Sequence, residues 1–283
     1  MKAMIITGAS SGIGTALCKC YAENGYYVFG SVRNTKDAKD LNVVLGDKGE
    51  SVIFDVTKKD QIRKAYKQIA KKTSKIEILI NNAGIALPAP LELTSESDFM
   101  DHFSINVMGA LNCIQIFLPL LKAPLATSKP HQIINISSGG GKRGSPFLGA
   151  YCMSKHAIEG FSKVLRQEML LYGIEVCVIA PGAIKTKIWD KGRKNLNTNK
   201  YSTSKYSKYM GRFSKWLQSL DDIGLSPENF ALKVFKISQK HFPPIRIVIH
   251  PRPFIGLFLQ DVLPTRFFNK LYAKKLGFPK KIM

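Results

Sequence analysis

Cysteine is scarce in this sequence, and its few cysteines are scattered. The 283 residues include five cysteines, an odd number, with no CxxC pair and no cluster with histidine. This distribution predicts neither a disulfide framework nor a zinc site, so no metal is expected. It is typical of a chain that stays in a reducing cytoplasm.

Long apolar runs and acidic residues are also in short supply. No stretch reaches 18 consecutive apolar residues, so no membrane-spanning helix is expected, and residues 1–7 are too short for a signal peptide. Asp and Glu total 20 against 42 Lys and Arg, a formal net charge of +22. Such a surface either attracts phosphorylated cofactors, acidic lipids or nucleic acid, or is simply solvated lysine. Without interleaved stacking aromatics or a binding motif, nucleic acid is not an expected partner.

Apolar patterning is informative over the first 185 residues. Short runs rich in Val and Ile alternate with segments of helical spacing, which indicates βαβ units and a parallel sheet covered on both faces. The predicted strands are 3–7, 27–31, 51–55, 78–81, 132–137 and 175–180, and residues 246–249 could form a last strand. The predicted helices are 14–24, 59–72, 97–121 and 151–172. The predicted fold class is therefore α/β, a Rossmann-type doubly wound parallel sheet in a single domain, since such domains often exceed 250 residues.

The composition of the sequence changes after residue 186. Residues 190–209 are rich in Lys, Ser, Asn and Tyr and are interpreted as a mobile or helical insertion outside the core. Helical periodicity returns at 230–237, and 254–276 is amphipathic and basic. We therefore divide the predicted domain 1–283 into a cofactor-binding and catalytic core, 1–186, and a substrate loop with a basic helical C-terminal extension, 187–283.

A glycine-rich turn, TGASSGIG at residues 7–14, follows the first predicted strand and opens the first predicted helix. That context is typical of a dinucleotide-binding turn, because glycine lets the backbone approach a pyrophosphate and the helix N-terminus supplies N–H donors. The predicted cofactor ligands in this turn are Gly8, Ser10, Ser11, Gly12, Ile13 and Gly14.

The end of the second predicted strand bears on the choice of cofactor. NAD enzymes usually carry an acid there, but this chain has Val32 followed by Arg33. A guanidinium can hold a 2′-phosphate through paired charge-assisted hydrogen bonds, and Ser11 could add a donor. The sequence therefore favours NADP(H) over NAD. The alternative is that Arg33 is a solvated base.

The remaining motifs resemble those of the short-chain dehydrogenase/reductase family in its single-domain form, closely up to about residue 190 and loosely beyond. They are an acidic pair after the third strand, an NNAG segment, a helix asparagine, a serine with a YxxxK pair, and a PGxxxT segment. The matching residues are Asp55, Val56, Asn81, Asn82, Ala83, Gly84, Asn106, Ser138, Tyr151, Lys155, Pro181, Gly182, Ile184 and Thr186.

The resemblance implies interconversion of a carbonyl and an alcohol by hydride transfer. It implies Tyr151 as the acid/base, Ser138 as a contact to the substrate oxygen, Lys155 as a donor to the nicotinamide ribose, and Asn106 as the anchor of a relay water. For the cofactor it implies Asp55 and Val56 at the adenine, Asn82, Ala83 and Gly84 along the cleft, Pro181 and Gly182 after the sixth strand, and Ile184 and Thr186 at the carboxamide.

Tyr151 and Lys155 are four residues apart and therefore share one face of a predicted helix. A neighbouring ammonium favours the phenolate, so Lys155 is expected to lower the pKa of Tyr151. No catalytic pattern surrounds His102, His131 or His156, which are expected to be structural or surface residues.

The likeness is greatest to 17-beta-hydroxysteroid and retinol dehydrogenase-like members, which implies a lipophilic steroid, retinoid or similar substrate and a place in lipid metabolism. Apolar residues expected at the substrate cleft are Ala86, Pro88, Pro90, Gly139, Phe147 and Trp189. Two other functions stay open, a 3-oxoacyl-thioester reductase and a non-catalytic NADP-binding sensor or scaffold. An enoyl reductase is disfavoured by the tyrosine–lysine spacing.

Two kinds of association are considered. The resemblance implies a homo-oligomer, dimer or tetramer, formed through helices 97–121 and 151–172. The basic C-terminal segment could contact a membrane peripherally, or instead pack on the domain or a partner subunit. Its candidate contact residues are Arg252, Phe254, Leu257, Phe258, Arg266, Phe267, Phe268, Lys270, Leu271, Lys274 and Lys275.

Overall fold

Seven parallel strands form the central sheet of the computed structural model, which describes residues 1–122, 129–186, 188, 201–251 and 264–279. The strands are β1 (Lys2–Ile6), β2 (Tyr26–Val32), β3 (Gly49–Ile53), β4 (Ile78–Asn81), β5 (His131–Ile136), β6 (Ile174–Pro181) and β7 (Arg246–Ile249). Their order is β3-β2-β1-β4-β5-β6-β7, and every pair is parallel. The chain order reverses between β1 and β4, and ligands of such sheets bind at that switch point.

The strands are apolar on both faces because helices cover both faces of the sheet. In β1, Met4 and Ile6 belong to one apolar cluster, whereas Ala3 and Ile5 belong to the cluster on the opposite face. This explains the continuous apolar runs, which would alternate if one face were solvated. The predicted fold class, an α/β doubly wound parallel sheet, is confirmed.

The described helices are α1 (Gly12–Glu23), α2 (Thr35–Leu45), α3 (Lys59–Ala70), α4 (Glu96–Phe103), α5 (Gly109–Leu121), α6 (Gly149–Met169), α7 (Ser207–Ile223), α8 (Pro227–Ser238) and α9 (Thr265–Leu276). Helices α1, α2 and α8 supply the first apolar cluster, and α3, α5 and α6 supply the second. Gly173 ends the α6 region in the left-handed conformation, φ 63°, as its position past the predicted helix suggested.

Two helix predictions needed correction. Helix α2 was not predicted, although Asn34 caps it by accepting a hydrogen bond from the Asp37 N–H at 2.8 Å. The predicted helix 97–121 is interrupted by a π-helical turn, Ser104–Met108, which separates α4 from α5. A π-helical turn contains one residue more than an α-helical turn, so it rotates the buried face of the helix only partly around its axis. The spacing of apolar residues in the sequence therefore does not reveal it.

The interpretation of 190–209 as lying outside the core is wrong for the part that the structure describes. Tyr201 is only 5% exposed and packs in a third apolar cluster, and α7 begins at Ser207. That cluster comprises Ala86, Ala89, Phe147, Leu148, Tyr151, Cys152, Tyr201, Met210, Phe213, Leu217 and Leu276. Tyrosines rather than aliphatic residues fill this part of the core. Residues 190–200 lie outside the described residues.

The segment Glu96–Leu121 is long and apolar enough to cross a membrane by length and composition alone. However, 56% of its most apolar window is buried inside the structure. Cys113, Phe117 and Leu121 on its second half are fully buried against the sheet. We therefore interpret it as a core helix.

Candidate active site

A cleft of about 250 Å³ lies at the carboxyl ends of β1, β2 and β4, next to the switch point of the sheet. Most of the predicted cofactor ligands line it. These are Gly8, Ser10, Ser11, Gly12, Ile13, Gly14, Arg33, Asp55, Val56, Asn82, Ala83, Gly84 and Thr186. The structure thus brings the predicted residues of five separate segments to one cleft.

Thr7 holds the glycine-rich turn against the NNAG segment, a role that the sequence analysis did not assign. Its hydroxyl accepts hydrogen bonds from the N–H groups of Asn82 and Ala83, each at 3.0 Å. The Asn82 side-chain amide donates in return to the carbonyls of Thr7 and Gly8, at 2.9 and 3.1 Å. Ser31 completes the brace by accepting from the Gly8 N–H at 3.1 Å. These bonds fix the turn in place.

The shape of the turn fits a bound dinucleotide. A Cβ on Gly14 would lie 2.0 Å from the Gly8 carbonyl oxygen, so only glycine allows this close backbone approach. Gly8 itself has φ +69°, which favours glycine. Ser11 precedes α1 in an extended conformation and makes no side-chain capping bond. Because the first N–H groups of a helix attract anions, α1 offers donors to a pyrophosphate.

Asp55 and Val56 form a fixed turn at the end of the cleft. The Asp55 carboxylate accepts from the Thr57 N–H at 2.8 Å and from its hydroxyl at 2.7 Å. The Val56 carbonyl accepts from the Asn112 amide at 3.0 Å. These bonds hold the turn rigid. It can therefore form one wall of a site for the adenine ring, as the resemblance implies.

The tyrosine and lysine of the YxxxK pair share the inner face of α6. Tyr151 and Lys155 are each 6% exposed. The Lys155 Nζ donates to the Ile136 carbonyl at 2.8 Å and lies 5.9 Å from the centroid of the Tyr151 ring. The Tyr151 hydroxyl is hydrogen-bonded to Ser138, so three of the four predicted catalytic side chains, Ser138, Tyr151 and Lys155, meet at the end of β5.

Burial governs the pKa of both groups. It raises the pKa of the Tyr151 phenol to about 12, while the hydrogen bond with Ser138 acts in the opposite direction. Burial lowers the pKa of Lys155 to about 8, partly offset by the negative charge of Glu159. The predicted direction, a pKa of Tyr151 lowered by Lys155, is wrong for this structure, because loss of hydration is the largest influence on the phenol and raises its pKa.

Asn106 lies in the π-helical turn and joins the site to α6. Its Oδ1 accepts from the Ile85 N–H at 2.8 Å, and its Nδ2 donates to the Ile85 carbonyl at 3.0 Å and to Ser154 Oγ at 2.9 Å. A Cβ on Gly84 would lie 3.1 Å from this Oδ1 and 3.8 Å from Lys155 Nζ. Gly84 therefore lies next to both the amide oxygen and the lysine, and the amide oxygen keeps a second lone pair for another donor.

The PGxxxT segment is divided between two places. A Cβ on Gly12 would lie 3.3 Å from the Thr186 side chain, which lines the cofactor cleft. The Gly182 N–H donates to the Ile249 carbonyl at 2.8 Å, and Ile184 forms a parallel bridge with Leu225. Pro181, Gly182 and Ile184 therefore do not line this cleft in the described structure, and the roles that the resemblance implies for them stay predictions.

A buried ion pair supports the floor of the site and was missed in the sequence. Glu159, one turn beyond Lys155 on α6, accepts from Arg246 Nε at 2.9 Å and from Ser137 Oγ at 2.7 Å. Its side chain is only 9% exposed. The recurrence of polar residues at 151, 155 and 159 was the available signal, because it marks a single helix face.

Phe147, which packs in the same apolar cluster as Tyr151, has a strained backbone. Its φ of 64° is the only positive value on a non-glycine residue among those that the structure describes. Its carbonyl accepts from the Ala89 N–H at 2.8 Å, and its ring packs in the third apolar cluster with Ala86 and Tyr151. Such strain is frequent where a side chain must be aimed at a site. Trp189, also expected at the cleft, lies outside the described residues.

The three helix and strand histidines make hydrogen bonds to the backbone. His102 Nδ1 bonds to the Asp98 carbonyl at 2.7 Å, His131 Nδ1 to the Leu121 carbonyl at 2.9 Å, and His156 Nδ1 to the Cys152 carbonyl at 2.8 Å. They hold loops and helix turns together. In the part of the chain that the structure describes, no group of His, Cys, Asp or Glu is arranged to hold a metal ion.

A dinucleotide cleft at the switch point and a serine–tyrosine–lysine cluster beside it define an oxidoreductase site. Comparison with known proteins gives the family: the sequence model described as short chain dehydrogenase matches residues 2–197. The chain belongs to the short-chain dehydrogenase/reductase family, as the motifs indicated, and is an oxidoreductase.

Its similarity to individual proteins extends over most of the chain. It is 33% identical over 278 residues to an NADPH-dependent 3-dehydrocapnine reductase from Ornithobacterium rhinotracheale, covering 98% of each chain. It is 31% identical over 248 residues to a 3-ketodihydrosphingosine reductase from Bacteroides thetaiotaomicron, covering 88% of this chain and 87% of the relative. A short-chain dehydrogenase from Streptomyces avermitilis has the same fold, with a TM-score of 0.76 and 24% identity over 98% of this chain and 95% of that one.

Proposed function

We propose that this protein is an NADPH-dependent reductase that converts a ketone on a lipophilic, long-chain substrate to a secondary alcohol. The observation that carries the proposal is the buried Tyr151 hydroxyl, hydrogen-bonded to Ser138 and surrounded by the third apolar cluster. A phenol in that setting is a proton donor bordered by apolar side chains. Lipophilic carbonyl compounds suit such surroundings.

The chemistry follows from where charge develops during reduction. When bound, the nicotinamide supplies a hydride to the carbonyl carbon, and the C=O π electrons move onto oxygen. Ser138 holds that oxygen, and Tyr151 donates its phenol proton to it, forming the new O–H bond. The Lys155 ammonium then stabilises the phenolate and also offers donors to the cofactor ribose. Asn106 binds the backbone of Ile85 and so positions the segment 84–85, which lies next to Lys155 Nζ.

The raised pKa of Tyr151 bears on the direction of the reaction. With a pKa of about 12 the phenol stays protonated near neutrality, which is the form that reduction uses. Oxidation would start from the phenolate, which is scarce at that pH. We therefore propose reduction as the working direction, in keeping with the two relatives named as reductases.

The assay that tests the proposal compares carbonyl classes under one set of conditions. Purified protein is given 3-ketodihydrosphingosine, a ketosteroid, retinal and a 3-oxoacyl thioester, each with NADPH and with NADH, and oxidation of the cofactor is followed. We expect the long-chain ketone with NADPH to give the highest kcat/KM. Preference for the thioester would instead establish the 3-oxoacyl reductase alternative. A protein that binds NADPH but reduces none of the four would favour the sensor or scaffold.

Replacing Arg33 by Asp is expected to reverse the cofactor preference. Arg33 is exposed at the rim of the cofactor cleft, where its guanidinium can pair with a 2′-phosphate and where a carboxylate would repel it. Loss of a charge-assisted pair should lower kcat/KM for NADPH roughly 10- to 100-fold, with NADH improved or unchanged. Lys36→Asp, an equal charge change on exposed α2 outside the cleft lining, is the control. An unchanged preference in Arg33→Asp would remove Arg33 as the phosphate ligand.

The reduction rate is expected to fall above a pH set by Lys155. Its ammonium is fully present well below pH 8 and is lost as the pH rises through its pKa of about 8, whereas Tyr151 stays protonated to about 12. The kcat/KM for NADPH reports ionisations of the free enzyme, so its high-pH limb should lie near 8. Lys155→Arg should move the limb upward, because arginine stays charged. A wild-type profile that is flat to pH 9.5 would contradict this assignment.

Self-association and membrane contact stay proposals. Helices α4 to α6 expose Met100, Met153 and Val164, and the π-helical turn exposes Met108, which are apolar residues available to a second copy. On α9, Phe267 and Leu271 are about half exposed, at 49% and 48%. Residues 252–263, the rest of the predicted amphipathic contact, lie outside the described residues.

A further inference from the structure

A second and larger cavity, about 1830 Å³, lies beside the third apolar cluster, to which Tyr151 belongs. In the part of the chain that the structure describes, its walls come from the loop 142–146 after β5, residues 204–209 around the start of α7, and α9 with Phe278 and Pro279. Glu92 and Leu93 complete the rim. We call this cavity the cationic basin.

The charge of the basin is strongly one-sided. Among the described residues that line it are six bases and one carboxylate, Glu92, which accepts a hydrogen bond from the Tyr206 hydroxyl at 2.6 Å. The six bases are Lys142, Arg143, Lys205, Lys208, Arg266 and Lys270. They come in pairs from three separate segments and converge on one opening. A concave surface lined by charge of one sign concentrates ions of the other sign.

The floor of the basin is aromatic and packs against the apolar cluster that contains Tyr151. It is made of Tyr206, Tyr209, Phe268, Tyr272 and Phe278. The Phe147 ring meets Tyr206 and Phe278 edge-on, with centroids 6.1 and 6.3 Å apart. Phe147 and Tyr151 belong to the same apolar cluster. An apolar chain lying on this floor would thus lead from the basic rim toward the catalytic hydroxyl.

The walls are held together by specific contacts. The Arg143 guanidinium stacks over the Phe268 ring at 3.5 Å from its centroid. The Trp216 ring on α7 meets the Tyr272 ring on α9 edge-on, with centroids 6.0 Å apart, and Arg212 on α7 donates to the Leu276 carbonyl at 3.0 Å. These contacts join α9 to the loop after β5 and to α7. The basin is therefore a formed cavity and not a chance gap beside a loose helix.

We propose that the cationic basin binds the anionic head group, a phosphate, sulfonate or carboxylate, of a single-chain amphiphilic ketone and of its alcohol product. The head group lies among the six bases, the chain lies on the aromatic floor, and the ketone reaches Tyr151. The inference rests on the proposed function and narrows its substrate class. A concave basin with an aromatic floor accommodates one amphiphile, whereas a bilayer surface would require a flat or convex face.

The kinetic test uses two ketones of equal chain length, one with a phosphate or sulfonate head and one with a hydroxyl head. We expect the wild type to prefer the anionic ketone at least tenfold in kcat/KM, mainly through KM. Lys208→Gln with Lys270→Gln should reduce that preference roughly tenfold and leave the hydroxyl-headed ketone within twofold of wild type. Both lysines are exposed on the rim, so their loss should not disturb folding.

The matched control is Lys233→Gln with Lys236→Gln, two exposed lysines of α8 that do not line the basin. This variant carries the same charge change and should keep the wild-type preference. If both double variants lose the preference equally, net charge rather than the basin is responsible and the proposal fails. Equal use of both ketones by the wild type would also overturn it while leaving the proposed reductase function intact.

A binding measurement separates the head-group site from turnover and from other anions. Calorimetry should show that the wild type binds monomeric decane-1-sulfonate. The double variant Lys208→Gln with Lys270→Gln should bind it more weakly. Decyl maltoside, with an uncharged head, should bind more weakly, as should inorganic phosphate, which lacks the chain. Equal affinity for inorganic phosphate would make the basin a free-anion site. Binding to acidic vesicles without binding of monomeric sulfonate would make it a membrane contact. Either outcome overturns the proposal.

Discussion

Replacing Tyr151 by Phe is expected to abolish most turnover while leaving the protein folded and able to bind NADPH. The variant removes one oxygen atom, the proton donor hydrogen-bonded to Ser138, and keeps the ring that packs in the third apolar cluster. General acid catalysis contributes roughly 10²- to 10⁴-fold, so kcat should fall by at least that factor. Steady-state reduction and NADPH titration of the same preparation measure the two effects.

The matched control is Tyr172→Phe, at the 3₁₀ turn that follows the same helix. It also removes one phenolic hydroxyl, but far along the chain from Ser138, and should keep kcat within twofold of wild type. If Tyr151→Phe retained activity close to that of wild type, the proton would come from elsewhere. The proposed mechanism would then be wrong even though the family assignment stands.

Replacing Gly14 by Ala is expected to remove cofactor binding. The added methyl group would lie 2.0 Å from the Gly8 carbonyl oxygen and 2.9 Å from the Ala9 Cα, and both are backbone atoms that cannot rotate away. The turn must shift, and the N–H donors at the start of α1 shift with it. Overpacking of this kind costs about 1–3 kcal/mol of stability, and we expect the affinity for NADPH to fall at least 100-fold.

Gly160→Ala provides the control, because Gly160 also lies inside a helix but a Cβ there meets nothing within 4 Å. Alanine in a helix interior is favoured over glycine by about 1 kcal/mol, so this variant should be slightly stabilised and should bind NADPH normally. Circular dichroism and thermal melts would establish that both variants are folded. Normal NADPH affinity in Gly14→Ala would show that the cleft does not hold the pyrophosphate.

The backbone parts of the site were accessible from the sequence because each has a local signature. Glycine is required at position 14 because the backbone of Gly8 lies so close to it. The neighbouring residues show that this position lies in a turn between a strand and a helix. The strands were found because burial on both faces makes them uniformly apolar, as β1 shows. Arg33 could be placed because it directly follows a strand whose carboxyl end must reach the cleft.

Other parts depend on tertiary contacts that no local pattern encodes. The pKa of Tyr151 was predicted in the wrong direction because spacing reveals the neighbouring lysine but not how completely the phenol is buried. The insertion was taken for surface because it lacks aliphatic residues, yet Tyr201 is buried against segments distant in sequence. The cationic basin likewise exists only where α9 folds back on the loop after β5.

The most direct test of the central claim is a single-turnover experiment with NADPH deuterated at C4 of the nicotinamide. The protein is given a 3-oxo long-chain substrate and a 2-enoyl compound of equal length together, and the products are analysed by mass spectrometry. We predict deuterium on the carbinol carbon of the 3-hydroxy product, with wild-type protein but not with Tyr151→Phe. Deuterium on the former C=C bond, or equal labelling of the carbinol by Tyr151→Phe, would contradict the account.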